Sequence, residues 1–226
     1  MFEFISSLLV LIIFCVRVES SCSDGCDALG SYYLWPDVNL TFISTVFSTS
    51  VSQIRSYNPQ ITNPDFIDRD TRINVPFSCG CVGGEFMGHQ FDYQIRSGNY
   101  YQLIAERYYS NLTTVEMLRS FNSYDPDRLP DVNAILNVTV NCSCGNSRVS
   151  RDYGLFVTYP LRPGENLSSL ASESQLPEEL LRDYNPGSNF SSGSGLVFIP
   201  GRGESIILFS QEAIHSHNLN NLNQEH

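Results

Sequence analysis

The sequence predicts an α+β fold of three tandem units, each a strand, two helices and a strand, cross-linked by three disulfides in the linkers. Three observations carry this expectation. Cysteines at Cys22 and Cys26, in Cys79-Gly80-Cys81 and in Cys142-Ser143-Cys144 mark points roughly sixty residues apart that can converge. The aromatic-asparagine pairs Tyr57-Asn58, Phe121-Asn122 and Tyr184-Asn185 recur at near-equal intervals, as internal repeats do. An apolar run from Phe4 to Val16, followed by Ser20-Ser21, has the pattern of a secretory leader, which places the chain where disulfides persist.

Residues 1–20 therefore read as a signal peptide, although Glu3 stands where a positive charge is usual. The apolar run is too short for a membrane span, which needs about 20 residues. Cys15 leaves with the leader, and six of the seven cysteines remain.

The first unit, residues 31–78, opens on Ser31-Tyr-Tyr-Leu-Trp35. Leu40, Ile43 and Phe47 have helical spacing, and Val51, Ile54 and Tyr57 lie on one face of a second helix. Ser50 and Gln53 form a capping box for that helix. Asn58-Pro59 stops it, and Thr71 to Val75 returns as a strand.

The second unit, residues 91–141, starts with the strand Phe91 to Ile95. Tyr101, Ile104, Ala105 and Tyr108 follow at i, i+3, i+4 and i+7. Thr113 with Glu116 predicts a capping box, and Leu112 with Met117 a hydrophobic staple. Asn122 ends that helix, a Pro-rich loop follows, and Ile135 to Val140 closes the unit.

The third unit, residues 155–200, runs from the strand Leu155 to Tyr159 through a turn at Arg162-Pro-Gly-Glu165. Leu167, Leu170 and Ala171 define one helix, and Pro177 suits the first turn of the next. Leu180, Leu181 and Tyr184 line its inner face, and Leu196 to Ile199 is the last strand. Residues 201–226 are rich in Gln, His and Asn with one short apolar run. This composition predicts a disordered polar tail that cannot cross a bilayer. The chain as written reads as secreted and extracellular, at the plasma membrane only if a longer form carries a span.

A unit of about 45 residues buries too little surface to be comfortable alone. Each bridge adds roughly 2–4 kcal/mol by restricting the unfolded chain, so the spacers 80–88 and 146–154 are expected to be bound connectors. Two cysteines separated by one residue would close a strained ring, so each Cys-x-Cys reads as two hooks to other segments. Six cysteines allow 15 pairings, and spacing does not choose among them. The competing reading, a zinc site, needs a second matching pair or histidines that this spacing does not supply.

Composition narrows function. A formal charge of −11 argues against nucleic acid and anionic membranes as partners, since phosphate binding needs clustered Lys and Arg. Twelve Tyr and fourteen Phe against the single Trp35 favour an uncharged ligand held by stacking and apolar contact. The histidines are His89, His215, His217 and His226, and no metalloprotease, nucleophile-elbow or phosphate-loop motif accompanies them. Glu178-Glu179 lies at a helix start, where acidic residues stabilise the dipole. The reading is a non-enzyme with no cofactor and no metal. Asn-x-Ser/Thr sites at Asn39, Asn111, Asn137, Asn141, Asn166 and Asn189 predict N-glycosylation.

The repeated units, the Cys-x-Cys spacers and the stretches Asn111-Leu-Thr-Thr114, Val138-Thr-Val-Asn-Cys-Ser-Cys144, Val157-Thr-Tyr-Pro-Leu-Arg162 and Tyr184-Asn-Pro-Gly187 resemble the extracellular part of plant LysM receptor-like kinases. These are receptors for chitin fragments and lipochitooligosaccharides in defence or symbiosis signalling. The resemblance covers about Cys22 to Arg202, and the membrane span and kinase of such receptors are not in this sequence. It implies the disulfides Cys22–Cys81, Cys26–Cys144 and Cys79–Cys142. It also implies a groove in the middle LysM module between the loop 96–101 and the loop 122–131. There Ser97, Gly98 and Gln102 are the expected polar or backbone contacts, and Val115, Pro126 and Leu129 the apolar contacts to acetyl groups. Leu129→Arg is accordingly expected to weaken glycan binding without disturbing a core.

Relatives carry acidic or amide residues where this chain has Ser97 and Gly98, and Glu where it has Gln102, which leaves room for a modified or lipidated ligand. Competing readings are that Tyr100, Tyr101 and Leu129 only pack the module, or that the turns of the first or third module bind instead. The partners implied are the oligosaccharide and other LysM receptors. The alternative function is a secreted glycan scavenger or decoy that does not signal, and a weaker one is a disulfide-linked scaffold.

Overall fold

The computed structural model describes residues 22, 25–36, 38–64, 67–130, 133–145 and 153–201. The expected leader and polar tail lie outside the described residues, as does most of the spacer 146–154. Six strands form one sheet: β1 (Cys26–Tyr33), β2 (Arg72–Val82), β3 (Phe86–Gln94), β4 (Ile135–Asn141), β5 (Leu155–Pro160) and β6 (Leu196–Gly201), in the order β4-β3-β2-β1-β5-β6. Each unit contributes one antiparallel pair, with Gly30 opposite Val75, Phe91 opposite Val138 and Val157 opposite Ile199. The third pair joins the sheet by a short parallel contact of Ala28, Leu29 and Gly30 with Phe156, Val157 and Thr158.

Two helices bridge each pair: α1 (Leu40–Val46) and α2 (Val51–Ser56), then α3 (Tyr101–Leu103, continuing as a π-helical turn Ile104–Tyr108) and α4 (Val115–Phe121), then α5 (Leu167–Ser174) and α6 (Glu178–Tyr184). Alternation along a strand sends successive side chains to opposite faces. Ala28 and Tyr32 accordingly enter the core shared by the first two units, with Phe47, Phe91 and Tyr109, whereas Leu29 enters the core of the third, with Leu170, Leu181 and Val197. Gly30 makes room for this stacking, because a Cβ there would lie 3.0 Å from Leu112 Cδ1.

The repeated asparagines do one structural job three times. Asn58 Nδ2 donates to the carbonyls of Ile54 and Asn74 at 2.6 and 2.7 Å, and its Oδ1 accepts from Asn74 N–H at 2.9 Å. Asn122 makes the same three bonds to Leu118 and Asn137, and Asn185 to Leu181 and Phe198. Each amide therefore serves a carbonyl in the last turn of a helix and fills an open edge position of the closing strand.

The disulfides Cys22–Cys81, Cys26–Cys144 and Cys79–Cys142 have Cα separations of 5.4, 5.7 and 5.9 Å. They tie the start of β1, the end of β2 and the residues after β4 into one knot, in which the sulfurs of Cys26, Cys79 and Cys144 lie within 4.8 Å of one another. Each of these sulfurs is already in a disulfide. A second clamp is polar. Arg72 on β2 pairs with Glu165 at 3.0 Å, donates to the Pro160 carbonyl at 2.7 Å and lies 4.0 Å over the Tyr159 ring. Tyr159 Oη and Arg162 N–H complete the carboxylate's partners at 2.8 and 2.6 Å, so one guanidinium fastens the first unit to the third.

Several elements differ from the sequence expectation. The spacer 80–88 is strand, since β2 runs on through Cys79-Gly80-Cys81 and pairs with β3 at Gly80–Gly88 and Val82–Phe86. Gly83 and Gly84, both at positive φ, form the turn, closed by Glu85 N–H on Val82 C=O; Gly-Gly is a hairpin signal because two-residue turns need positive φ. β1 likewise starts at Cys26, ahead of the expected Ser31. In α3 the π-helical turn, with Tyr109 N–H on Ile104 C=O at 2.9 Å, delays the register by one residue. Tyr109 is thus fully buried in the slot expected for Tyr108, and its hydroxyl donates to Val46 C=O. The cap of α4 is Thr114, which accepts from Met117 N–H, while Thr113 is buried and donates to Thr139 C=O. Pro177 caps α6 from just outside.

Candidate functional site

The two loops of the middle unit are held side by side by Tyr101 N–H on Pro126 C=O at 2.9 Å. The first loop turns at Gly98, whose φ of +79 suits glycine. Asn99 fixes that turn from inside, its Oδ1 accepting from Tyr93 Oη and Arg96 N–H at 2.8 and 2.9 Å. The second loop is closed by Arg128 N–H on Asp125 C=O and by Asp127 N–H on the Asp125 carboxylate. Both rims are thus shaped before any ligand arrives.

Ser97, Gly98 and Gln102 are exposed, and Val115 and Pro126 are half-buried. Leu129 departs from expectation: it is only 7 % exposed and packs in the shared core. The loop doubles back at Asp125–Arg128, which turns the following leucine inward. An arginine there would bury a charge, so that variant disturbs a core after all. Tyr101 is also core, whereas Tyr100 is 43 % exposed.

Gln102 and Val115 face a second feature. A cleft of about 780 Å³ opens among the three units, lined by Trp35 of the first, by Gln102, Glu106, Val115 and Glu116 of the second, and by Leu161, Arg162 and Leu196 of the third, among others. Ser97, Gly98, Pro126 and Leu129 do not line it. Gln102 donates to Glu106 at 2.9 Å across one wall. Arg162 lies 3.4 Å from the Tyr33 ring centre and 5.2 Å from that of Trp35, and Arg107 lies 4.3 Å over Trp35. Such cation–π contacts hold the indole in place. The Trp35 Nε1 is buried with no hydrogen-bond partner among the described residues. The sequence puts Trp35 in the first unit and Leu161 and Arg162 in the third, and their approach across a long chain separation left no local signal.

A smaller cavity of about 350 Å³ lies between α2 and the sheet, lined by Gln53, Tyr57, Phe77 and His89 among others. Burial holds the His89 imidazole below its usual pKa, and its Nδ1 is 3.1 Å from Ser78 Oγ.

Three strand-helix-helix-strand units that share one six-stranded sheet and are tied by three disulfides define a disulfide-linked, multi-module α+β class of protein. The LysM domain family matches residues 39–76 and 157–200. The chain is 50 % identical to LysM domain receptor-like kinase 3 of Medicago truncatula and 44 % identical to Chitin elicitor receptor kinase 1 of Arabidopsis thaliana, in each case over 88 % of this chain and 33 % of the relative. It therefore spans about a third of the length of these curated relatives. Among solved structures it matches the LYK3 ectodomain with a TM-score of 0.76 at 48 % identity, covering 82 % of this chain and 95 % of that one. A second receptor-like kinase ectodomain matches with a TM-score of 0.77 at 42 % identity, covering 81 % and 96 %. The chain belongs to the family of LysM receptor-like kinase ectodomains. The matched region does not include the relatives' kinase domain, and among the described residues no helix is long and apolar enough to cross a membrane.

Proposed function

We propose that this chain binds N-acetylglucosamine-containing oligosaccharides, chitin fragments or lipochitooligosaccharides, as the extracellular part of a LysM receptor in plant defence or symbiosis signalling, alongside other LysM receptors. The observation that carries the reading is the pair of preformed loops joined at Tyr101 and Pro126, with Ser97, Gly98 and Gln102 exposed and Val115 and Pro126 half-buried. Exposed backbone and amide groups suit the ligand's hydroxyls and amides, and the half-buried apolar atoms suit its acetyl methyls. Each hydrogen bond adds only about 0.5–1.5 kcal/mol net, so affinity accumulates over several sugars. A relative 44 % identical is named a chitin elicitor receptor, and the charge of −11 disfavours polyanionic ligands.

Calorimetric titration with chitin oligomers, lipochitooligosaccharides and peptidoglycan fragments tests this. Val115→Asp is the informative variant, since Val115 opens α4 and acidic residues are favoured in a first helical turn. The fold should persist while affinity falls about tenfold or more, equivalent to about 1.4 kcal/mol. A variant that binds every glycan as well as the parent removes the middle module from the site.

A further inference from the structure

Asn111 lines the three-unit cleft. It is exposed, sits at φ +62 and is held there by its own N–H on Ala105 C=O at 2.8 Å. It is also the acceptor of an Asn-Leu-Thr glycosylation sequence whose threonine, Thr113, is buried with its hydroxyl committed to Thr139 C=O at 2.7 Å. That threonine is out of reach once the unit has closed, so any glycan must be attached before folding is complete, and the unit then closes around it. An N-linked glycan begins with two β-linked N-acetylglucosamine residues, a chitin fragment in its own chemistry.

The cleft around Asn111 has the parts such a disaccharide needs. Gln102, Glu106, Glu116 and Arg162 supply planar polar groups, and Leu161 and Leu196 supply apolar wall. Its volume of about 780 Å³ falls in the range of sites that enclose small ligands. Asn166 and Asn189 are exposed as well but do not line the cleft, and the first is the cap of α5.

We propose that the core disaccharide of an N-glycan on Asn111 occupies the three-unit cleft as a built-in ligand, bracing the second unit against the third. The inference rests on the extracellular reading above, and its cleft shares Gln102 and Val115 with the loop groove while Ser97, Gly98 and Pro126 lie outside it. Because the glycan is tethered at the cleft wall, its effective concentration there is high without any free sugar. The brace would supplement the Arg72–Glu165 clamp, which joins only the first unit to the third.

The test uses the secreted protein made in cells that add only high-mannose glycans. The native protein is treated with an endoglycosidase that cuts between the two core sugars, and each site is followed by mass spectrometry. Release at Asn111 should be slower than at Asn166 and Asn189 by about tenfold or more, the protection given by about 1.4 kcal/mol of docking free energy. Ser194→Trp, which fills the cleft from an exposed loop position, should abolish that protection. Equal release at the three sites overturns the proposal, and so does protection that survives Ser194→Trp. An unoccupied Asn111 beside occupied Asn166 and Asn189 overturns it alone, whereas no glycan at any site overturns the extracellular reading with it. Loss of chitin-oligomer affinity in Ser194→Trp, with Asn111 released freely in the parent, would assign the cleft to external sugar instead.

Discussion

Asn58→Ala removes one of the three amide latches, and its cost can be worked from the contacts. Asn58 is fully buried, and it forms two donor bonds and one acceptor bond of 2.6 to 2.9 Å, with a longer contact of 3.5 Å from Gln60. Three buried hydrogen bonds at about 1 kcal/mol each, two of them to backbone groups of buried Asn74 where water cannot take the amide's place, amount to about 3–4 kcal/mol. For a domain of this size that lowers the melting temperature by roughly 6–16 °C. Asn122→Ala deletes the same set of bonds where the side chain is only partly buried. Water can replace some of them, and about 1–2 kcal/mol is expected. Urea unfolding with the disulfides intact gives both values. A loss below about 1 kcal/mol for Asn58→Ala, or a larger loss for Asn122→Ala, would refute the latch argument. Asn58→Asp adds a pH signature. The carboxylate keeps one acceptor but opposes two carbonyl oxygens, so its folded-state pKa rises. The variant should therefore be closest to wild type in acid and lose stability as pH rises through that raised value.

Three further outcomes follow from the clamps between units. Arg72→Met leaves the Glu165 carboxylate, 19 % exposed, without its guanidinium, and should cost about 3 kcal/mol or more, part of which Glu165→Gln restores in the double variant. Burial and the nearby Glu165 charge raise the Glu173 carboxyl above its usual pKa, with Arg72 partly opposing them. A raised folded-state value gives stability below the ordinary carboxylate pKa and loses it as pH rises through the folded one. Glu173→Gln should therefore raise the melting temperature at neutral pH and leave it unchanged in strong acid, and a scan at both pH values decides. Cys142→Ser frees the Cys79 thiol within 4.8 Å of the Cys26–Cys144 sulfurs, so unreduced peptide mapping should find exchanged pairs. The double variant Cys79→Ser/Cys142→Ser should keep the two remaining bridges intact.

Local patterns determined which segments became helix and strand. Leu40, Ile43 and Val46 bury one face of α1 because apolar spacing near 3.6 residues selects a helix. The Ser50–Gln53 capping box forms because both groups lie within one turn. The equal intervals of Asn58, Asn122 and Asn185 disclosed the repeat, although what each amide holds became visible only when the closing strand lay beside it. Where local signals competed, neighbours decided. Thr113 and Thr114 both suit a cap, and β4 claims the first through Thr139 C=O. Tyr108 and Tyr109 both suit the core, and the π-helical turn that reaches Val46 selects the second. The groove was expected from resemblance alone, and the structure adds that Leu129 is buried in the shared core.

The amino-acid order by itself determined the units, their number and which segments are helical, because those depend on hydrogen bonds and burial within a few turns of chain. Tertiary structure alone decided how the units share one sheet, which sulfurs gather into one knot, and that Trp35, Gln102, Asn111 and Arg162 border a single cleft. Those contacts join residues far apart in the chain, where no periodicity records distance and only the packed faces fix which surfaces meet.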